Sequence, residues 1–283
     1  MISDITLGQY LPGKSWLHRM DPRMKIVLSI VYIVAIFLCK HVLSYALVLL
    51  FTGFLIAAGG IPFKFIRKSL KPIVVVLIIT SFINLFWTEG AHQIFSWEIA
   101  SWWTLTMYWE GVWKALFMVT RVVLLVISVS LFLTYTTSPI QLTDALESLL
   151  SPLKVFKIPV HEFAMMMTIA LRFIPTLIEE TERIMNAQKS RGSDLSSGSL
   201  LKRVKAMIPI LVPLFISAFQ RAMDLATAME CRCYRGGDGR TKLVQFHLSH
   251  LDFIMLALVA LLTAGIPLIN YFMPLIMQIG LGL

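Results

Sequence analysis

Lys64-Phe65-Ile66-Arg67-Lys68-Ser69-Leu70-Lys71-Pro72-Ile73-Val74-Val75-Val76-Leu77-Ile78-Ile79-Thr80-Ser81-Phe82-Ile83-Asn84-Leu85-Phe86-Trp87 sets a cluster of cations without a single acid against an unbroken apolar run. Short loops rich in Lys and Arg beside apolar segments stay in the cytoplasm, so this stretch predicts a cytoplasmic loop followed by a span, Ile73 to Trp87. The loop beyond it, to Glu110, holds Glu89, Glu98 and Glu110 but no Lys or Arg, and is expected outside. It also gathers Trp97, Trp102, Trp103 and Trp109, with Trp87 and Trp113 at its edges. That crowding predicts an aromatic belt at the membrane surface, with a ligand cage as the alternative.

Working outward, four more segments are apolar for roughly the twenty residues that a helix needs to cross a bilayer, or nearly so. They are Ile26 to Cys39, Val42 to Ile61, Ala115 to Thr136 and Phe253 to about Met273, and nothing after Asp252 is charged. Lys40 and His41 make a tight polar turn between the first two. The composition agrees: 57% of residues are hydrophobic, 14% are charged, and the mean hydropathy is +0.78. The formal charge of +9 sits largely in short loops beside these runs, which argues against nucleic acid as its purpose. The start, Met1-Ile2-Ser3-Asp4, has no signal-peptide pattern and is expected in the cytosol. The fold class predicted is therefore an all-α membrane protein of about five spans with a helical cytoplasmic domain. Its parts are residues 1–136 with four spans, 137–250 as the cytoplasmic segment, and 251–283 as the last span.

The segment from Thr137 to His250 mixes charges with helical stripes. Thr137-Ser138-Pro139 reads as a helix start. Two long helices are predicted, His161 to about Lys189 and Leu201 to about Glu230, separated by a Gly- and Ser-rich turn from Gly192 to Ser199. Pro175, Pro209 and Pro213 are expected to bend them. The second carries the stripe Leu201, Val204, Ile208, Leu211, Val212, Phe215 and Phe219, and its uncharged part from Ala206 to Phe219 is too short to span, so packing against other helices at the membrane surface is expected. Phe163 to Met167 offers a soft apolar face that suits either a varied partner or an ordinary core.

One pattern occurs twice. Ala187-Gln188-Lys189-Ser190-Arg191-Gly192 closes the first long helix, and Ala228-Met229-Glu230-Cys231-Arg232-Cys233 closes the second. In each a small alanine lies one turn before an arginine and a small residue follows it. A single arginine there would serve the last carbonyls and the helix dipole. Two copies in one segment point instead to contact with another protein, each guanidinium reaching for a carboxylate. No phosphate-binding loop, zinc-protease motif or nucleophile elbow competes. Cys231, Cys233, His247 and His250 fit zinc spacings poorly and read as reduced cysteines and unrelated histidines. Arg121, about two turns inside the fourth span, either packs or snorkels, or else lies on a transport path as a secondary transporter would require.

Together with Gly8-Gln9-Tyr10-Leu11-Pro12-Gly13-Lys14-Ser15-Trp16-Leu17-His18-Arg19-Met20-Asp21-Pro22-Arg23-Met24-Lys25, these paired motifs resemble the transmembrane coupling subunits of energy-coupling factor transporters, the CbiQ/EcfT family. Cys233 departs from the glycine common there. The resemblance implies a non-catalytic subunit without cofactors of its own, ATP and Mg being bound by two partner ABC-type ATPases, EcfA and EcfA′. It implies that Ala187, Ser190, Arg191 and Gly192, and Ala228, Cys231, Arg232 and Cys233, seat in those ATPases. A substrate-binding S component is expected on Met165, Met166, Ile169, Phe173, Leu211 and Phe215. Vitamin uptake through shared S components is the preferred form, with a dedicated cobalt or nickel system as the alternative.

Overall fold

The computed structural model describes residues 10–13, 15–88, 93–100, 103–193, 199–236 and 246–280; Gly8, Gln9 and Lys14 of the N-terminal stretch, Trp102, and most of the turn between the long helices lie outside them. The elements are α1 (Trp16–Arg19), α2 (Pro22–Leu38), α3 (Val42–Gly59), α4 (Phe63–Leu70), α5 (Val74–Trp87), β1 (Gln93–Ala100), β2 (Trp103–Tyr108), α6 (Trp109–Val129), α7 (Pro139–Leu149), α8 (Val160–Ser190), α9 (Leu200–Cys231) and α10 (His250–Gly280). Among the described residues, six helical stretches are long and apolar enough to cross a membrane: Val42–Gly59, Phe63–Trp87, Trp109–Tyr135, Val160–Ser190, Val204–Cys231 and His250–Phe272. Four of them coincide with expected spans. The fifth expected span is α2, which at 17 residues is apolar and just shorter. The architecture is that of a multi-pass, helical membrane protein. Among the described residues the strands are those of the antiparallel hairpin β1–β2, with Trp97 opposite Leu105, in the Trp-rich loop expected outside.

The described residues fall into two compact units, one within 139–236 and the other formed by 10–138 with 246–280. In the latter, α2 lies at the centre, packed against α6 and α10. Leu28, Tyr32, Ala35 and Ile36 make its buried face. The Tyr32 hydroxyl meets the Val48 carbonyl at 3.0 Å and Thr52 Oγ1 at 2.7 Å, so α2 is pinned to α3 by polar as well as apolar contact. The α3 helix ends at Gly60, whose φ of +63° only glycine adopts cheaply. Gly111 allows another close approach: a Cβ there would stand 3.0 Å from the Asn84 carbonyl and 3.1 Å from that of Leu85, so α6 lies directly on α5.

Two polar clusters hold the ends of α2. At its C-terminal end, Arg121 of α6 donates to the Cys39 carbonyl at 3.1 Å and to the Tyr45 hydroxyl at 3.0 Å, and Asn270 of α10 donates to the Leu38 carbonyl at 2.7 Å. At the N-terminal end Asp21 caps α2 through the Arg23 N–H, while Asp252 accepts from the backbone N–H groups of Asp21 (3.2 Å) and Ser249 (2.8 Å). The ammonium of Lys25, which is 1% exposed, donates to the Thr136 carbonyl at 2.8 Å and to Thr137 Oγ1 at 3.4 Å. That carbonyl is available because Thr136 lies just past the π-helical segment, Ser130–Tyr135, that ends α6, where helix carbonyls have no partner within the helix. Lys25→Met keeps the stem but removes the charged donor, leaving a buried carbonyl short of a partner. It should destabilise the chain by roughly 1.5–3 kcal/mol, read as a lower thermal unfolding midpoint in detergent.

Candidate functional site at two helix ends

The unit within 139–236 is built on α7, α8 and α9. Glu147 on α7 meets His161 at the start of α8 at 2.9 Å. Farther along, Glu180 on α8 binds Arg221 and, at 2.8 Å, Ser217 on α9. The sequence offered no sign of this last junction beyond a carboxylate amid mixed charge. Both long helices match their expected ranges within a residue or two and continue through Pro175, Pro209 and Pro213. The apolar stripe of α9 behaves differently from expectation. Leu201, Val204, Ile208, Leu211, Val212, Phe215 and Phe219 are each more than half exposed, and Ile210 is the buried one. Among the described residues of this unit α9 packs against α8, and the stripe is left exposed. Of the residues proposed for the S component, Met166, Leu211 and Phe215 are exposed and Met165, Ile169 and Phe173 are half-buried.

The ends of α8 and α9 share one backbone geometry. Arg191 caps α8 with φ −85° and ψ 8°, and Arg232 caps α9 with φ −94° and ψ 15°. The next residue is left-handed in both, Gly192 at φ +81° and Cys233 at φ +55°. Behind Arg191, the Gly192 N–H bonds to the Lys189 carbonyl at 3.0 Å and the Ser193 N–H to the Gln188 carbonyl at 3.0 Å. Behind Arg232, the Cys233 N–H bonds to the Glu230 carbonyl at 2.9 Å and the Tyr234 N–H to the Met229 carbonyl at 3.1 Å. Both are complete Schellman closures.

This geometry separates two roles that the sequence had run together. The small residue after each arginine is required by the left-handed turn, since a Cβ there is costly and a branched one more so. The arginine side chain is not required by the helix, because backbone N–H groups already serve those carbonyls. Arg191 and Arg232 are exposed and, among the described residues, make no side-chain hydrogen bond or ion pair, so each helix end presents its guanidinium outward. Ala187, Ser190, Ala228 and Cys231 are exposed around them. Arg121, by contrast, is engaged with Tyr45 and Cys39, which is a packing role.

Cys233 occupies a conformation in which a side chain costs about 1–2 kcal/mol, whereas Gly192 does not. Cys233→Gly should raise stability by up to about 1 kcal/mol, part of the relief being offset by the freer unfolded chain. Cys233→Val should lower it by about 1–2 kcal/mol. Thermal unfolding of the two variants in detergent would measure both.

The same chain is matched over residues 13–243 by the family model described as cobalt transport protein, CbiQ. The energy-coupling factor transporter transmembrane protein EcfT of Ruminiclostridium cellulolyticum is 49% identical over 271 residues, covering 96% of this chain and 99% of its own. The protein of that name in Clostridium kluyveri is 52% identical over 255 residues, 90% of this chain and 92% of its own. That of Bacillus subtilis is 46% identical over 242 residues, covering 86% and 89%. A match over most of the chain at this level of identity means that the chain belongs to the CbiQ/EcfT family.

Proposed function

We propose that this chain is the coupling subunit of an energy-coupling factor transporter, linking ATP hydrolysis by two ABC-type ATPases to substrate uptake by an S component. The observation that carries the reading is the pair of exposed guanidiniums, without a partner among the described residues, each held on a Schellman-closed end of a long helix. A rigid helix end with an exposed forked donor is suited to a carboxylate in a groove of another protein. Two such ends fit two ATPase subunits, with Arg191 entering one and Arg232 the other. Residues 1–136 would hold four spans with the N-terminus inside, 137–250 would face the cytoplasm, and 251–283 would carry the last span. The chain would be non-catalytic, with ATP and Mg held by its partners.

The bare apolar surface of α9 and the start of α8 supports the other half of the reading. An apolar stripe this exposed needs a cover, and Met166, Leu211 and Phe215 would provide the S-component contact. The N-terminal stretch from Gly8 to Lys25 favours S components shared among vitamins. The family's description as a cobalt transport protein keeps a dedicated metal system as the second reading. Identifying co-purified S components by mass distinguishes the two.

Replacing Arg191 and Arg232 together by Glu should abolish ATP-driven uptake in proteoliposomes, because each new carboxylate would face an acidic partner group. Insertion of the chain should be unchanged. Normal assembly with both ATPases and normal uptake by the double variant would sink the reading. Met166→Asp or Phe215→Asp should reduce co-purification of the S component several-fold while the ATPases remain bound, since the change buries an unpaired carboxylate at that contact. Retention of the S component with loss of the ATPases would show the two ends assigned the wrong way round.

A further inference from the structure

The helix α4 has two faces of different purpose. Inward, Ile66 is buried, and Phe65 packs edge-on against Tyr135 with ring centroids 6.1 Å apart. The Tyr135 hydroxyl donates to the Phe65 carbonyl at 2.8 Å and is hydrogen-bonded to Ser69. These contacts fix the rotation of α4 about its axis. Outward, Lys64, Arg67, Lys68 and Lys71 are all exposed, and their spacing of three and four residues sets them along one side. None of the four makes an ion pair or a side-chain hydrogen bond among the described residues. The sequence contains no Asp or Glu between Asp21 and Glu89 to neutralise them.

The position of this face limits its partner. A three-residue 3-10 turn, Lys71–Ile73, leads directly from α4 into α5, and Phe63–Trp87 together is 25 residues long and apolar enough to cross a membrane. A helix of that length reaches about 37 Å, more than the ~30 Å hydrocarbon core, so its charged end lies at headgroup depth. Just ahead of the cations Phe63 is 76% exposed at the N-terminal end of the same helix. Signalling the foot of a span needs only the charge, wherever the side chains point. It does not need a helix whose rotation is pinned and whose cations share one unpaired side.

We propose that the outward face of α4 binds the phosphate headgroups of anionic phospholipids. Clustered Lys and Arg beside a span attract anionic lipid additively, and the pinned helix keeps all four cations directed at the same headgroup layer. The proposal stands apart from the coupling reading, since it invokes no ATPase and no S component.

The test places the full chain in nanodiscs of equimolar phosphatidylcholine and phosphatidylglycerol, releases it in mild detergent, and counts retained lipids by native mass spectrometry. Wild type should retain phosphatidylglycerol over phosphatidylcholine by about tenfold. The variant K64Q/R67Q/K68Q/K71Q should lose most of that preference, and K64R/K68R/K71R should keep it. An unchanged ratio in the Gln variant, or an equal loss in the Arg variant, would overturn the proposal. So would loss of a co-purified protein from the Gln variant with the lipid ratio intact, which would give the face to a protein. A second measurement leaves every charge in place: Phe63→Trp adds a fluorophore beside the cations. Its added emission should be quenched more by brominated phosphatidylglycerol than by brominated phosphatidylcholine. The difference should shrink at about 1 M salt, where screening falls to ~3 Å. Equal quenching by the two lipids overturns the proposal.

Discussion

A buried ammonium must have its donors satisfied, and in this chain that requirement gathers the ends of three segments at one place. Lys25 sits in the first turns of α2 and binds the carbonyl with which α6 and its π-helical extension finish. Close by in sequence, Asp21 is tied to Asp252, which opens α10. Arg23 lies over the ring of Phe246, 5.6 Å from its centroid. The chain leaves the membrane unit just after Thr137 and re-enters it at Phe246, so both crossing points are gripped by the same five-residue stretch. An apolar core can be repacked with modest loss, whereas a polar cluster at this depth works only if its members all stay in register. The opposite end of α2 repeats the logic with Arg121 and Asn270, again drawn from α6 and α10. Between them, these two clusters set the height and rotation of the central helix against both neighbours.

Much of this was legible beforehand, and where it was not the reason is physical. Hydropathy located the helices, because a run such as Val42–Gly59 has no other way to satisfy its backbone in an apolar setting. The paired arginine motifs were visible as a spacing. The purpose of the residue following each arginine was not, because smallness can mean close approach or a positive φ, and only the backbone angle decides between them. The hairpin of β1 and β2 was hidden by its tryptophans. Phe95, Trp97 and Ile99 alternate with Ser96 and Glu98 as a strand would, but the aromatic crowding was already accounted for by the membrane interface. The π-helical segment left no trace, since one extra residue in a turn changes no pattern that periodicity can detect.

The stripe on α9 shows the reverse error. Its period correctly gave a helix with an apolar face, and burial was then inferred from that face. Periodicity says which residues share a side but not what lies opposite. Burial in unit 139–236 is confined to a few residues such as Ala145, Val160, Ala164 and Ile210. A segment with so small a core of its own cannot hide two helices of about thirty residues, so its apolar surface faces outward.

The two Schellman ends are alike in backbone and unlike in chemistry. Cys39 is buried, while Cys231 and Cys233 are exposed on either side of Arg232, and no thiol stands near Arg191 in sequence. The natural chain thus carries a reactive handle on one helix end only. A maleimide dye or a mercurial added to the unmodified protein would report occupancy at the α9 end while leaving the α8 end silent, giving each end a separate signature without any engineered cysteine.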